Sequence, residues 1–193
     1  MESLSTSSSA NVSSSELSRS FFARDTVRVA RELLGCEIVR EVGPKRLRAR
    51  IVETEAYLGD GDAAAHCSRG PTPRAKVMFG PPGTIYVYFI YGNYFMVNFV
   101  TEKTGKAGAV LIRAVEPVEG IDRSTNGPAK LVMALGIDGS LNSKMLGLPH
   151  LAVFKGKKVR DRDVVRTTRI GISKAKELRL RFYEKGNPFV SKV

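Results

Sequence analysis

Leu47-Arg48-Ala49-Arg50-Ile51-Val52-Glu53-Thr54-Glu55-Ala56-Tyr57 decides how this chain is read. Side chains alternate along a strand, so Leu47, Ala49, Ile51, Glu53, Glu55 and Tyr57 are expected on one face. That face begins apolar and ends in two carboxylates and a tyrosine, as when a strand runs from the core to the rim of a pocket. Upstream, Gly43-Pro44 separates it from a second β-prone run, 37–42, and the pair reads as a β-hairpin.

Working outward, Asp25 is placed to cap a helix over 26–34, with Val27, Ala30, Leu33 and Leu34 inward and Gly35 ending it. Two prolines in 80–83 form a turn before a strand over 84–91. Gly92-Asn93 then reverses the chain into a strand over 94–100. A further strand is expected over 107–115, ended by Pro117, and Pro128 opens a short helix over 129–135 closed by Gly136. Strands dominate, with a few helices and no βαβ alternation. The expected fold class is α+β: a single domain with a curved antiparallel β-sheet, partly barrel-like, as its core and flanking helices.

The length of 193 residues suits one domain that buries its own core, and 42% hydrophobic residues is ordinary for a globular protein. The formal charge of +12 is not ordinary. Such a surface attracts an anionic polymer by counterion release. From Lys155 to Val193 there are thirteen Lys and Arg against four acidic residues, so +9 of the +12 lies in the last fifth of the chain. Apolar residues interrupt that tract, including Ile170, Ile172, Leu178, Leu180, Phe182 and Phe189, so it reads as folded structure with one basic face. The first twenty residues contain ten serines and no apolar signal core, and 1–20 reads as a flexible Ser-rich tail. The run 85–100 is too short and too polar to span a bilayer. Two distant cysteines and two histidines make a zinc site of Cys and His ligands a poor fit, and the thiols are expected reduced in an intracellular compartment.

The candidate chemistry sits between Glu53 and Arg113. A semi-buried carboxylate has a raised pKa and becomes useful as a base, or as an anion facing a cationic transition state. Spacing alone does not say which of Glu53 and Glu55 would serve. His66 follows in a loop or short helix. Tyr86, Tyr88, Tyr91 and Tyr94 fit ordinary strand packing as well as a platform for a planar base. Tyr91 differs because it precedes the Gly92-Asn93 turn, where inserting an aromatic into a base stack would justify its exposure. A carboxylate, aromatic faces and a basic surface together suggest an enzyme that draws a base out of a nucleic-acid duplex.

The ordered blocks Ala-Arg-Glu-Leu-Leu-Gly, Ile-Val-Glu-Thr-Glu-Ala-Tyr-Leu-Gly, Thr-Pro-Arg, Met-Phe-Gly-Pro-Pro-Gly, Tyr-Val-Tyr-Phe-Ile-Tyr-Gly, Val-Leu-Ile-Arg-Ala-Val-Glu-Pro, Asn-Gly-Pro-Ala-Lys-Leu and Gly-Asn-Pro-Phe-Val-Ser closely resemble the alkyladenine (3-methyladenine) DNA glycosylase family of the mammalian type. The resemblance runs from about Phe21 to the C-terminus, so 21–193 is expected to be the catalytic domain. It implies a monofunctional glycosylase of base excision repair. Glu55 would be the general base and Arg113 would help hold the attacking water. Tyr57, His66 and Tyr88 would sandwich a flipped base, Asn98 would line the pocket beside the purine edge, and Tyr91 would wedge into the duplex. No cofactor, metal or lysine imine is implied, and the partner would be duplex DNA carrying damaged purines, bound by a monomer. The compartment would be intracellular: cytoplasm and nucleoid in a prokaryote, nucleus in a eukaryote. The chain departs from the family in a shorter segment between Val118 and Asn126, in Asn93, and in Cys67 and Pro71 after His66.

Two rival readings are weaker. A non-catalytic nucleic-acid-binding β domain accounts for the charge and the tyrosines but leaves Glu53 and Glu55 without purpose on an anion-binding face. A carbohydrate hydrolase needs two carboxylates flanking a bond, whereas side chains two apart on one strand point the same way, and the chain has no tryptophan.

Overall fold

A computed structural model describes residues 15–90, 92 and 94–192. Its centre is β2 (Lys45–Leu58), which pairs antiparallel with β1 (Glu37–Val42) and with β5 (Gly108–Glu119). Sheet order continues outward through β4 (Tyr94–Val100) to β3 (Ile85–Ile90) on one side, and from β1 to β6 (Ala152–Phe154) on the other. The second half of β2 exchanges partners. Glu53, Thr54 and Glu55 pair with β8 (Arg181–Glu184), which in turn pairs with β7 (Val164–Thr167). The eight strands form a single antiparallel sheet that forks along β2. With three α-helices among the described residues, this is the α+β fold expected from the pattern.

The register of β2 against β5 corrects one expectation. Between Ile51 and Thr54 the pairing shifts twice: Ile51 faces Val115, Glu53 faces Ala114 and Thr54 faces Ile112, leaving Val52 and then Arg113 as extra residues. Each bulge reverses which face the following residues of its own strand point to, Val52 on β2 and Arg113 on β5. Leu47, Ala49 and Ile51 therefore join the main core with Ala56, and Thr54 reaches the same side to bond the Ala30 carbonyl at 2.8 Å. Glu53 and Glu55 look to the opposite side, toward Arg113. The single face drawn by strict alternation is thus two faces, and the bulges deliver the carboxylates away from the core.

The main core lies under α2 (Thr26–Glu32) and α3 (Pro128–Ala134), with Phe22, Val29, Leu33, Phe99 and Ile112 fully enclosed. Asp25 caps α2 by accepting from the Arg28 amide, a device worth about 1 kcal/mol. Pro128 stands in the first turn of α3, as its fixed φ favours. Two differences from the sequence reading have local causes. β5 continues past Pro117, which sits opposite Ala49 where the register shifts and no ladder donor is required. Packing also begins before Phe21: Leu17 is buried, its amide bonds the Val153 carbonyl at 2.7 Å, and α1 spans Arg19–Phe22. The basic C-terminal tract is folded, and two of its arginines, Arg169 and Arg181, point inward and are buried.

Candidate active site

On the side of the sheet away from the main core, a cleft of about 540 Å³ is bounded by Tyr57 from β2, His66 and its neighbours, Tyr86 and Tyr88 from β3, Asn98 from β4, Arg113 from β5, and the segment after Arg169. A second, smaller core of Ala65, Cys67, Ala75, Met78, Val100, Ala107 and Ala109 supports it, with Tyr57 and Tyr88 packed against that core. Gly59 lets β2 leave the sheet here. A Cβ at that position would stand 2.6 Å from the Ala107 carbonyl oxygen.

Glu55 is wholly buried beneath this cleft. Its Oε1 accepts from the Ile170 amide at 2.8 Å and lies 3.2 Å from Arg113 Nη1, while its Oε2 accepts from Tyr57 Oη at 2.9 Å. All three partners line the cleft, so the carboxylate is one bond removed from it. Burial raises the pKa of Glu55 above the ordinary carboxyl value, opposed by Arg113, the Ile170 amide and the Tyr57 hydroxyl, and reinforced by Glu53. A base held this way is poised nearer neutrality than a surface glutamate.

Glu53 is equally buried but differently employed. Its Oε1 accepts from Arg181 Nη1 at 2.9 Å and its Oε2 from the Ser191 amide at 2.7 Å, with Arg113 Nε 3.3 Å away. The Arg113 contact is an ion pair without a hydrogen bond, and Arg113 Nε is left buried without a partner. Glu53 thus binds the C-terminal segment to the sheet. The two carboxylates differ in their hydrogen-bond donors: Tyr57 and Ile170, which donate to Glu55, line the cleft, whereas Arg181 and Ser191, which donate to Glu53, do not, and Arg113 lies against both.

The opposing wall is aromatic and neutral. His66 packs edge-on to Tyr88, ring centroids 4.6 Å apart and planes at 77°, and its Nδ1 lies 2.9 Å from Tyr86 Oη. No planar base fits between rings so close. Among the described residues Tyr57 makes no ring–ring pair, and it lines the cleft together with His66 and Tyr88. Burial, and then the charge of Arg74, lower the pKa of His66 to about 4, so the imidazole is neutral at pH 7. Burial likewise raises Tyr57 and Tyr88 above the usual phenol range. Asn98 is buried opposite Tyr86 in the β3–β4 ladder and donates Nδ2 to the Tyr86 carbonyl at 3.1 Å. That bond uses one of the two amide N–H donors and leaves the second N–H and the carbonyl oxygen.

Six of the seven residues anticipated from the sequence thus gather around one cleft. The seventh, Tyr91, and the neighbouring Asn93 lie outside the described residues. Sequence reasoning passed over Tyr86 as a partner of His66, and over Asp62, Arg74 and Arg169. Arg74, in the Thr-Pro-Arg block, sits over the Tyr88 ring at 4.8 Å and bonds the Phe89 carbonyl at 3.1 Å.

A buried, pKa-raised carboxylate under an aromatic cleft, in a strongly basic α+β domain, has the organisation of an enzyme and not of a passive nucleic-acid-binding module. The sequence profile of the methylpurine-DNA glycosylase (MPG) family matches residues 20–188. A protein of Carboxydothermus hydrogenoformans named "Putative 3-methyladenine DNA glycosylase" is 49% identical, over 91% of this chain and 98% of its own length. Proteins of the same name from Legionella pneumophila strain Corby and Myxococcus xanthus are 47% and 49% identical, covering 92% and 82% of this chain and 99% and 83% of their own lengths. The chain belongs to the methylpurine-DNA glycosylase family. It is a hydrolase of the DNA glycosylase type, and DNA is its substrate.

Proposed function

We propose that the chain extrudes an alkylated or deaminated purine from duplex DNA into the cleft and hydrolyses its N-glycosidic bond with water activated by Glu55. The substrate class is 3-methyladenine, 7-methylguanine, hypoxanthine and ethenoadenine. One observation carries the reading: a buried carboxylate with a raised pKa whose every partner lines an aromatic cleft. The cleft volume is within the about 300–1,000 Å³ typical of small-molecule sites.

In this reading the base lies between Tyr57 and the His66–Tyr88 wall. Water held by Glu55 and Arg113 attacks C1′ of the sugar as the C1′–N bond breaks. Its proton passes to Glu55, and the bonding electron pair leaves with the purine. The Glu55 carboxylate also favours the oxocarbenium character that develops on the sugar. The strand stays intact at an abasic site, with no covalent intermediate and no cofactor. Tyr91 acts as the wedge that fills the gap in the duplex, on a hairpin whose described flanks, Phe89 and Tyr94, are 48% and 43% exposed. Asn98 stands beside the purine edge and excludes guanine. The protein acts as a monomer inside the cell.

The test is a panel of duplex oligonucleotides, each with one lesion, scored for strand breaks before and after alkali. Breaks that appear only after alkali support monofunctional base release. Breaks without alkali, or none on any lesion while the DNA is bound, count against it.

A further inference from the structure

Behind the cleft lies a buried ion pair that the chemistry above does not use. Asp62 and Arg169 both have fully buried side chains and meet in a fork, Nη1 to Oδ2 and Nη2 to Oδ1, each 2.6 Å. The same Asp62 carboxylate accepts from the Leu58 amide at 3.0 Å and the Ala64 amide at 3.1 Å. It therefore ties together the end of β2, the loop that leads to His66, and the segment before Ile170. Arg169 in turn donates to the Ala56 carbonyl at 3.0 Å and lies 4.6 Å from the centre of the Tyr57 ring.

We propose that Asp62 and Arg169 are positioning residues for the base: the fork fixes the chain at Arg169 so that the next amide, Ile170 N–H, is held on Glu55 and the Tyr57 ring is held flat against the cleft. This rests on the reading of Glu55 as the base. Arg169 spans from Asp62 to β2, and its backbone leads directly into the amide 2.8 Å from Glu55 Oε1. Arginine is required by the geometry, because only a planar guanidinium meets both carboxylate oxygens while bonding a carbonyl and covering a ring. Lysine keeps the charge and loses the fork.

The groups facing Glu55 are Arg113 from β5, Glu53 and Tyr57 from β2, Tyr88 from β3, and Arg169 with the Ile170 amide from the segment before β8. Loosening the Ile170 amide removes a donor that favours the charged carboxylate. A base that must be ionised then acts only at higher pH.

The experiment measures single-turnover base release from a hypoxanthine-containing duplex across pH for wild type, Arg169→Lys, Asp62→Asn and Glu55→Gln, with Arg50→Lys as control. Arg50 pairs with Glu116 and Glu184 elsewhere on β2. The expected result is a loss of about 10- to 100-fold in Arg169→Lys and Asp62→Asn, with the acidic limb moved to higher pH and duplex affinity kept. Arg50→Lys keeps the limb whatever its melting temperature. If Glu55→Gln is inactive while both variants show the wild-type rate and limb, the positioning inference fails alone. If Glu55→Gln retains activity, the reading of the base fails. Should the single variants not fold, the neutral pair Asp62→Asn/Arg169→Met removes both buried charges together. The same loss and limb shift in it support the inference, and a wild-type profile overturns it.

Discussion

The floor of the cleft and its hairpin wall are built on opposite physical terms. The floor concentrates charge out of water: Glu53, Glu55, Arg113 and Arg181 sit together, with the Asp62–Arg169 pair behind them. The wall is built mainly of neutral groups, His66 against Tyr86 and Tyr88 and the Asn98 amide bonded to a backbone carbonyl, with Arg74 over the Tyr88 ring. Buried charges interact strongly and are costly to leave unpaired, so they are fixed by partners. Neutral rings and amides offer shape and contact area. In our account the floor supplies the chemistry and the wall selects the base.

Glu55→Gln should break the floor while sparing the wall. Base release is expected to fall about 10²-fold or more, the scale of a lost general base, with lesion duplex still bound in a gel-shift assay. Glu53→Gln is the contrast. It leaves Arg181 short of its buried charge partner, which typically costs about 3–5 kcal/mol, so thermal melting should fall steeply. Release per folded molecule should drop far less than in Glu55→Gln. The reverse pattern would move the base to Glu53.

Asn98→Ala sharpens the other side of the comparison. Shortening this side chain opens room at the purine edge, so release of undamaged guanine should rise relative to hypoxanthine by roughly 1–3 kcal/mol of discrimination. Rates on guanine- and hypoxanthine-containing duplexes, taken as a ratio, check it. An equal loss on both would make Asn98 scaffold, a role its bond to the Tyr86 carbonyl also serves.

Arg74→Gln should have the smallest effect. Burial is the larger cause of the low His66 pKa and Arg74 the lesser, so the pKa should rise from about 4 but stay below 6.5 in an NMR titration of the imidazole. Protonation of His66 favours the unfolded chain, whose pKa is the higher. Stability is therefore expected to fall as pH drops from 6.5 toward 4, and less so in Arg74→Gln.

The hairpin β1–β2 and the helix at Asp25 were legible in the sequence because alternation and capping are local signals. The face of Glu53 and Glu55 was not. Two bulges, at Val52 and Arg113, depend on how β2 meets β5, some sixty residues away in sequence, and nothing within either strand marks them. In the sequence Glu55 was separable from Glu53 only through family resemblance, because the bonds of Glu53 to Arg181 and the Ser191 amide come from residues 128 and 138 positions away. Arg169 was hidden among thirteen basic residues that read as surface, and its partner Asp62 is 107 positions away.

The most direct test of the central claim is the pH–rate profile of single-turnover base release by wild type and Glu55→Gln on the same hypoxanthine duplex. The account predicts that the wild-type rate falls tenfold per pH unit below a midpoint above 4.5, while the variant is slow and lacks that limb. A variant that is slow but keeps the wild-type limb would show that the titrating base is another group.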